Sequence, residues 1–135
     1  GKESPHKAAD YLREFYSDIP INVYYGEPES KGRVFYNEEM TGFNFLSAKA
    51  NLNQVLDKLL ANTEDPNPPT MYIGSTEINK WFPGYNKQNN ASIDHLNPLT
   101  TIWIGNRTKI AAHYDFPNNF IATIVLTCNG SIFYY

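Results

Sequence analysis

Three segments near the end of the chain most constrain what it can fold into. Thr101-Ile102-Trp103-Ile104, Lys109-Ile110-Ala111-Ala112-His113 and Phe120-Ile121-Ala122-Thr123-Ile124-Val125-Leu126 are short and apolar, and Gly105-Asn106 and Pro117-Asn118 separate them. β-branched and aromatic runs of this length, punctuated by residues that favour turns, predict successive antiparallel strands. A sheet of this kind has to bury at least one face. The 10 Tyr and 8 Phe residues supply the side chains that broad sheet surfaces pack. At 135 residues the chain is long enough for one domain with a core of its own.

The preceding segments read as scaffold for that sheet. Ser4-Pro5 is a helix opening, because serine caps free amides and proline at the first helical position loses no hydrogen bond. It predicts a helix from Pro5 to Tyr16 with Ala8, Leu12, Phe15 and Tyr16 on one face. Pro20 to Tyr25 reads as a strand, and Gly32 to Tyr36 as its return or an extended arm, with a polar loop over 27–31 between them. Met40 to Leu46 reads as irregular structure lying over the sheet. Asn51-Leu52-Asn53-Gln54 resembles a capping box, with Asn51 capping the Gln54 amide. Leu52, Val55, Leu56, Leu59 and Leu60 then recur at helical spacing up to Ala61. Prolines 66, 68 and 69 end that helix in a connecting loop. Met71-Tyr72-Ile73 reads as a short strand, Ser75 as the cap of a brief helix ending at Trp81, Phe82 to Tyr85 as a turn, and 87–90 as a mobile polar stretch. No internal repeat divides the chain.

Composition excludes several partners. The net charge is −3, and no basic cluster is dense enough to neutralise a series of phosphates, so nucleic acid is not expected as a partner. No apolar run has membrane-spanning length and none resembles a secretion leader, so neither a membrane partner nor export is expected. The single Cys128 reads as a small buried hydrophobe in a reducing compartment, and the localisation expected is cytoplasmic. Gly1 in place of a methionine reads as a trimmed or processed start.

The chemistry is concentrated in His113-Tyr114-Asp115. On a strand, residues two apart point the same way, so an imidazole and a carboxylate stand side by side. One nitrogen and one oxygen suit a first-row divalent ion, and a second histidine would complete a two-histidine, one-carboxylate triad. His6 and His95 are the other histidines, and neither has the spacing of a motif, so both read as solvated side chains.

Several stretches coincide in order along the chain. Gly32-Arg33-Val34-Phe35-Tyr36, Met40-Thr41-Gly42-Phe43-Asn44-Phe45, Trp103-Ile104-Gly105-Asn106-Arg107-Thr108, and Ala112-His113-Tyr114-Asp115 followed by Asn119 resemble the cupin-like, JmjC-related family of Fe(II)/2-oxoglutarate-dependent oxygenases. The resemblance runs from about Ile19 to about Ile124. It implies a mainly β fold with flanking helices, α+β in class, built as a partial double-stranded β-helix, or jelly roll. It implies Fe(II) held by His113 and Asp115, and 2-oxoglutarate in a pocket faced by Tyr72 and Asn119. The activity implied is oxidative hydroxylation of a C–H bond, with substrate left open.

The sequence departs from that family after the His-x-Asp motif. From Phe116 to Tyr135 there is no Asp, Glu, Lys or Arg, hence no basic residue where the far carboxylate of 2-oxoglutarate is expected to pair. The expectation is a C-terminally truncated or frame-shifted member. It forms a single domain over 1–135, with an N-terminal helical part over 1–18 and a divergent tail over 126–135. A second histidine and the keto-acid anchor are missing, so the chain is expected to be inactive. Two other readings stand beside it. One is a non-catalytic binding or dimerisation module, with homodimers formed through the strand edges of Phe120 to Tyr135. The other is a non-redox metal cupin, which requires a three-histidine ligand set.

Overall fold

The computed structural model describes residues 4–90 and 92–110. Helix α1 spans Pro5–Arg13. The Ser4 hydroxyl accepts from the Lys7 amide at 3.2 Å and Pro5 occupies the first turn, so the helix opens as its sequence dictates. It stops three residues short of the expected Tyr16, and its innermost side chains are Ala9 and Leu12, with Phe15 buried just beyond. The Tyr16 hydroxyl instead works as a bracket. It donates to the Ile19 carbonyl at 2.7 Å and accepts from the Leu52 amide at 3.2 Å, satisfying one of the orphan amides that open the next long helix.

Strand β1 spans Ile21–Gly26, and Ile21 and Val23 are fully buried while Asn22 between them is exposed. That alternation is the period-two signature of a strand with one face on a core. The expected return strand does not pair with it. Lys31 and Gly32 both take positive φ, +50° and +83°, which turns the chain away into a separate short strand, β2, Arg33–Val34. The neighbour of β1 is β3, Leu46–Ala50, antiparallel with Ile21 opposite Ala50 and Tyr25 opposite Leu46.

Helix α2, Leu52–Ala61, falls where its leucine spacing puts it, with Leu52, Val55 and Leu56 buried. Its cap differs in detail, because the Asn51 side chain accepts from the Asn53 amide at 2.9 Å and not from Gln54. Strand β4, Thr70–Glu77, is longer than Met71 to Ile73. A register shift lies between Ile73 and Thr76, and Ser75 takes φ +44° within it, so Ser75 shapes a bulge and caps no helix. Two single-turn helices follow, α3 over Ile78–Trp81 and α4 over Tyr85–Gln88, so the polar stretch after Tyr85 begins as helix. Strand β5 is Thr101–Gly105, and β6, Lys109–Ile110, closes the described chain.

The four-stranded sheet has the order β3-β1-β4-β5, all antiparallel, and a second sheet pairs β2 with β6 in parallel. β5 and β6 are therefore not hairpin partners, as their sequence proximity suggested. The turn between them sends the chain across to the other sheet. The main core lies between one face of the large sheet and the helices, where Ile21, Val23, Ile73, Ile102 and Ile104 meet Leu12, Leu52, Val55, Ile78 and Phe82. Full burial of each such side chain is worth about 1.5–3 kcal/mol. Tyr11, Phe15 and Tyr85 form an edge-to-face cluster at its rim, with centroids 5.1–6.0 Å apart. Burial, with Tyr11 beside it, pushes the Tyr85 phenol from 10.0 up to about 12. This is the α+β, partial jelly-roll architecture expected. Among the described residues no helix is long and apolar enough to cross a membrane.

Candidate functional site

The face of the large sheet that turns away from the helices carries aromatic side chains. Tyr24 on β1 stands opposite Tyr72 on β4, their rings 6.1 Å apart, and Trp103 on β5 lies on the same face between the core residues Ile102 and Ile104. Phe45 leads into β3 with its ring 5.1 Å from Tyr24, edge to face. The small sheet and the loop that follows β2 lie over this face, and Val34, Phe35, Tyr36, Phe43 and Ile110 complete the walls of a cavity of about 320 Å³. That volume is in the range of small-ligand sites, which are apolar with a few polar groups. The polar side-chain atoms here are the hydroxyls of Tyr24, Tyr36 and Tyr72 and the indole N–H of Trp103, and among the described residues no carboxylate or basic side chain lines the wall.

Two local devices hold the lid sheet in place. The loop over 35–44 closes on itself, since the Asn37 side chain accepts from the amides of Thr41 and Gly42 at 2.9 and 3.2 Å while Tyr36 bridges to Phe43. Their rings stack at 5.2 Å, and Phe43 stacks on Phe45 at 4.9 Å, so a ladder of π faces runs from the loop to the cavity. The second device is the turn Gly105-Asn106-Arg107-Thr108. Asn106 accepts from the Met71 amide at 2.8 Å and donates to the Pro69 carbonyl at 2.9 Å, pinning the start of β4. The Arg107 guanidinium donates to the carbonyls of Pro66 and Thr63 at 3.2 and 3.3 Å, which fixes the proline loop behind α2. From there the Lys109 amide donates to the Gly32 carbonyl at 2.7 Å and begins the parallel ladder.

Of the residues singled out from the sequence, Tyr72 lines the cavity. His113, Asp115 and Asn119 lie outside the described residues, as do Cys128 and the strands proposed for dimerisation. The chain runs into that region from Ile110, itself a cavity residue, three positions before His113. His6 on α1 and His95 in the short helical turn over Asp94–Leu96 are both exposed. Among the described residues no group of three or more His, Cys, Asp or Glu side chains could hold a metal ion.

A family model for the cupin-like domain matches residues 1–125. This chain belongs to the cupin-like domain family. No curated protein and no solved structure matches it. The cupin-like assignment gives the two sheets their meaning. The antiparallel sheet with its flanking helices is consistent with a partial jelly roll, and the short parallel pair lies across the aromatic cavity from it.

Sequence reasoning did not single out Tyr24, Phe45 or Trp103. Each carried a signal, since Tyr24 and Trp103 alternate with buried aliphatics at period two and so face away from the helices. Phe45 sits in a segment read as irregular, and only its ring contact with Tyr24 reveals its face.

Proposed function

We propose that this cupin-like domain is of the Fe(II)/2-oxoglutarate oxygenase type, with the inter-sheet cavity as its small-molecule site and His113 and Asp115 as two of its metal ligands. The observation that carries this reading is the cavity itself, with Tyr72 in one wall and Ile110 in another. His113 follows the cavity residue Ile110 by three positions in the sequence. An imidazole and a carboxylate are a donor set that a first-row divalent ion accepts.

Iron and a keto acid, together with O₂, would supply when bound an oxidant able to hydroxylate a C–H bond. The residues of this chain orient and enclose. The phenols of Tyr24 and Tyr72 offer hydrogen bonds to a carboxylate or carbonyl, and Trp103, Phe43 and Phe45 exclude water. His6 and His95 are exposed and neither lines the cavity.

Iron titration of the wild-type chain and of His113→Ala, with 2-oxoglutarate decarboxylation measured in parallel, tests the reading. Iron binding that disappears in His113→Ala, with any decarboxylation lost alongside it, is expected. Binding indifferent to His113 overturns the metal assignment. A second reading, a non-catalytic module that associates with itself, is favoured by Leu46, which is 75% exposed on the edge strand β3. Light scattering that reports a monomer across micromolar concentrations refutes it.

A further inference from the structure

Strand β3 is the outer strand of the large sheet, and among the described residues nothing pairs with the side of it that faces away from β1. A row of unpaired amides and carbonyls is a template for another strand. Apolar surface surrounds its Leu46 end. Phe35, Tyr36, Met40 and Phe43 in the loop after β2, and Leu46 itself, are between 44% and 75% exposed. The rings form a connected chain, from Phe35 to Tyr36 to Phe43 to Phe45, with centroids 4.9–5.2 Å apart. At about 200 Å² for each fully exposed side chain, this leaves roughly 500 Å² of apolar surface in water, near the upper end of what one monomer shows. With the edge of β3 added, it approaches the roughly 800 Å² that each partner contributes to a stable complex.

The strand is also complementary to itself. The Phe45 ring packs on Tyr24, which stands opposite Ser47, so Phe45, Ser47 and Lys49 share the cavity face while Leu46 and Ala48 take the other. The dyads that keep two copies of β3 overlapped in antiparallel register run through Ser47, Ala48 or Lys49. A dyad through Lys49 sets the two lysines directly opposite and one through Ala48 sets them diagonally, about 7–8 Å apart, so like charges oppose both registers. A dyad through Ser47 moves them about 13 Å apart along the strands and brings each exposed lysine opposite the second copy's Phe45, whose ring stacks on Phe43. An ammonium beside aromatic faces is attracted to them. On the other face the same dyad sets the two Leu46 side chains diagonally within reach of each other, with the small Ala48 between.

We infer that a second copy of this chain docks on the outer edge of β3, antiparallel about Ser47, so that two four-stranded sheets become one of eight strands. The inference deepens the reading of this domain as a self-associating module and rests on it, and it does not depend on the oxygenase-type reading. A second copy is the occupant because the register that separates the lysines also supplies a cation to each exposed aromatic chain and an apolar neighbour to each Leu46. Such an isologous contact closes on itself and leaves no free edge at β3.

The test is cysteine cross-linking across the dyad in a Cys128→Ser background, together with light scattering of the full chain and its variants. Residues directly opposite in an antiparallel pair have Cα atoms about 4.5–5.5 Å apart, inside the range that a disulfide spans. Ser47→Cys is therefore expected to give a covalent dimer under mild oxidation, and Lys49→Cys, whose two copies lie too far apart, is not. Light scattering of the unsubstituted chain is expected to show a dimer at micromolar concentration. Ser47→Lys, which sets two like charges on the dyad, is expected to weaken that dimer at least about tenfold, and Lys49→Met about five- to thirtyfold, the span of two exposed cation–π contacts. If the unsubstituted chain is monomeric across micromolar concentrations, the self-association reading falls and this surface with it. If it dimerises but Ser47→Cys cross-links no better than Lys49→Cys, only the surface is wrong. A dimer that Lys49→Met tightens identifies the lysine as a guard of the edge and overturns the register. Should Ser47→Lys lose the circular dichroism of the folded chain, the two cross-linking variants alone decide.

Discussion

Gly32 is the position at which one methyl group is expected to open the cavity. Its φ of +83° lies in the left-handed region, which costs a residue with a Cβ about 1–2 kcal/mol. A Cβ there also falls inside contact distance of the Arg107 carbonyl oxygen, a backbone atom that cannot rotate aside. Relieving that overlap moves the backbone of one strand against the other, at about 1–3 kcal/mol by analogy with overpacked cores. The same residue's carbonyl accepts the Lys109 amide at 2.7 Å, and the β2–β6 ladder is only two residues long. Gly32→Ala is therefore expected to lose about 2–5 kcal/mol, largely by releasing the small sheet. The matched control is Gly42→Ala, where a Cβ meets nothing nearer than the Asn37 amide nitrogen at 3.9 Å. Urea unfolding followed by circular dichroism measures the global change. Amide exchange at Lys109 and Trp103 emission measure the local one. Gly32→Ala is expected to show faster exchange at Lys109 and a red-shifted Trp103, with Gly42→Ala near wild type. A Gly32→Ala protein with wild-type stability and wild-type exchange at Lys109 refutes the reasoning.

Asn106→Ala removes the acceptor of the Met71 amide and the donor to Pro69, and since Met71 is 2% exposed, about 1–3 kcal/mol of stability is expected to go with it in urea denaturation. Tyr85 sets an alkaline limit. Its phenol is held neutral up to about 12 in the fold against 10.0 in an ordinary environment, so above pH 10 the unfolded chain binds fewer protons than the folded one. The contribution is complete below pH 10 and lost as pH rises to about 12, roughly 3 kcal/mol in all. Tyr85→Phe is expected to flatten that part of the stability curve, and equal slopes for the two proteins would count against the assignment.

What the sequence made legible was whatever depends on local periodicity. Helix α2 follows from the spacing of Leu52, Val55 and Leu56, and β1 and β5 from apolar residues at every second place. Strand β3 was hidden because Leu46-Ser47-Ala48-Lys49-Ala50 contains residues with little strand preference. Its conformation comes from pairing with β1, a tertiary cause. The return of β2 misled for a related reason, since its partner is β6 at the far end of the described chain. At the site, Tyr72 was named as facing a 2-oxoglutarate pocket, and it lines the aromatic cavity. The family motif around Asn106 and Arg107 was recognisable by its residues, but its work in pinning β4 and the proline loop emerges only from hydrogen bonds between segments distant in sequence. His113, Asp115 and Asn119 lie outside the described residues and rest on the motif alone.

The parallel ladder between β2 and β6 also fixes an order of events in folding. β1 with β3, and β4 with β5, meet across modest sequence separations, whereas Arg33 and Lys109 close a loop of about 75 residues in return for two paired positions, an entropy cost that grows with loop length. Non-local pairing of this kind forms late. The large sheet and its helices thus assemble as a nucleus with an open aromatic face, and the aromatic chamber comes into being only at the final closure. Any molecule that prefers the finished chamber to the open face pulls folding toward completion.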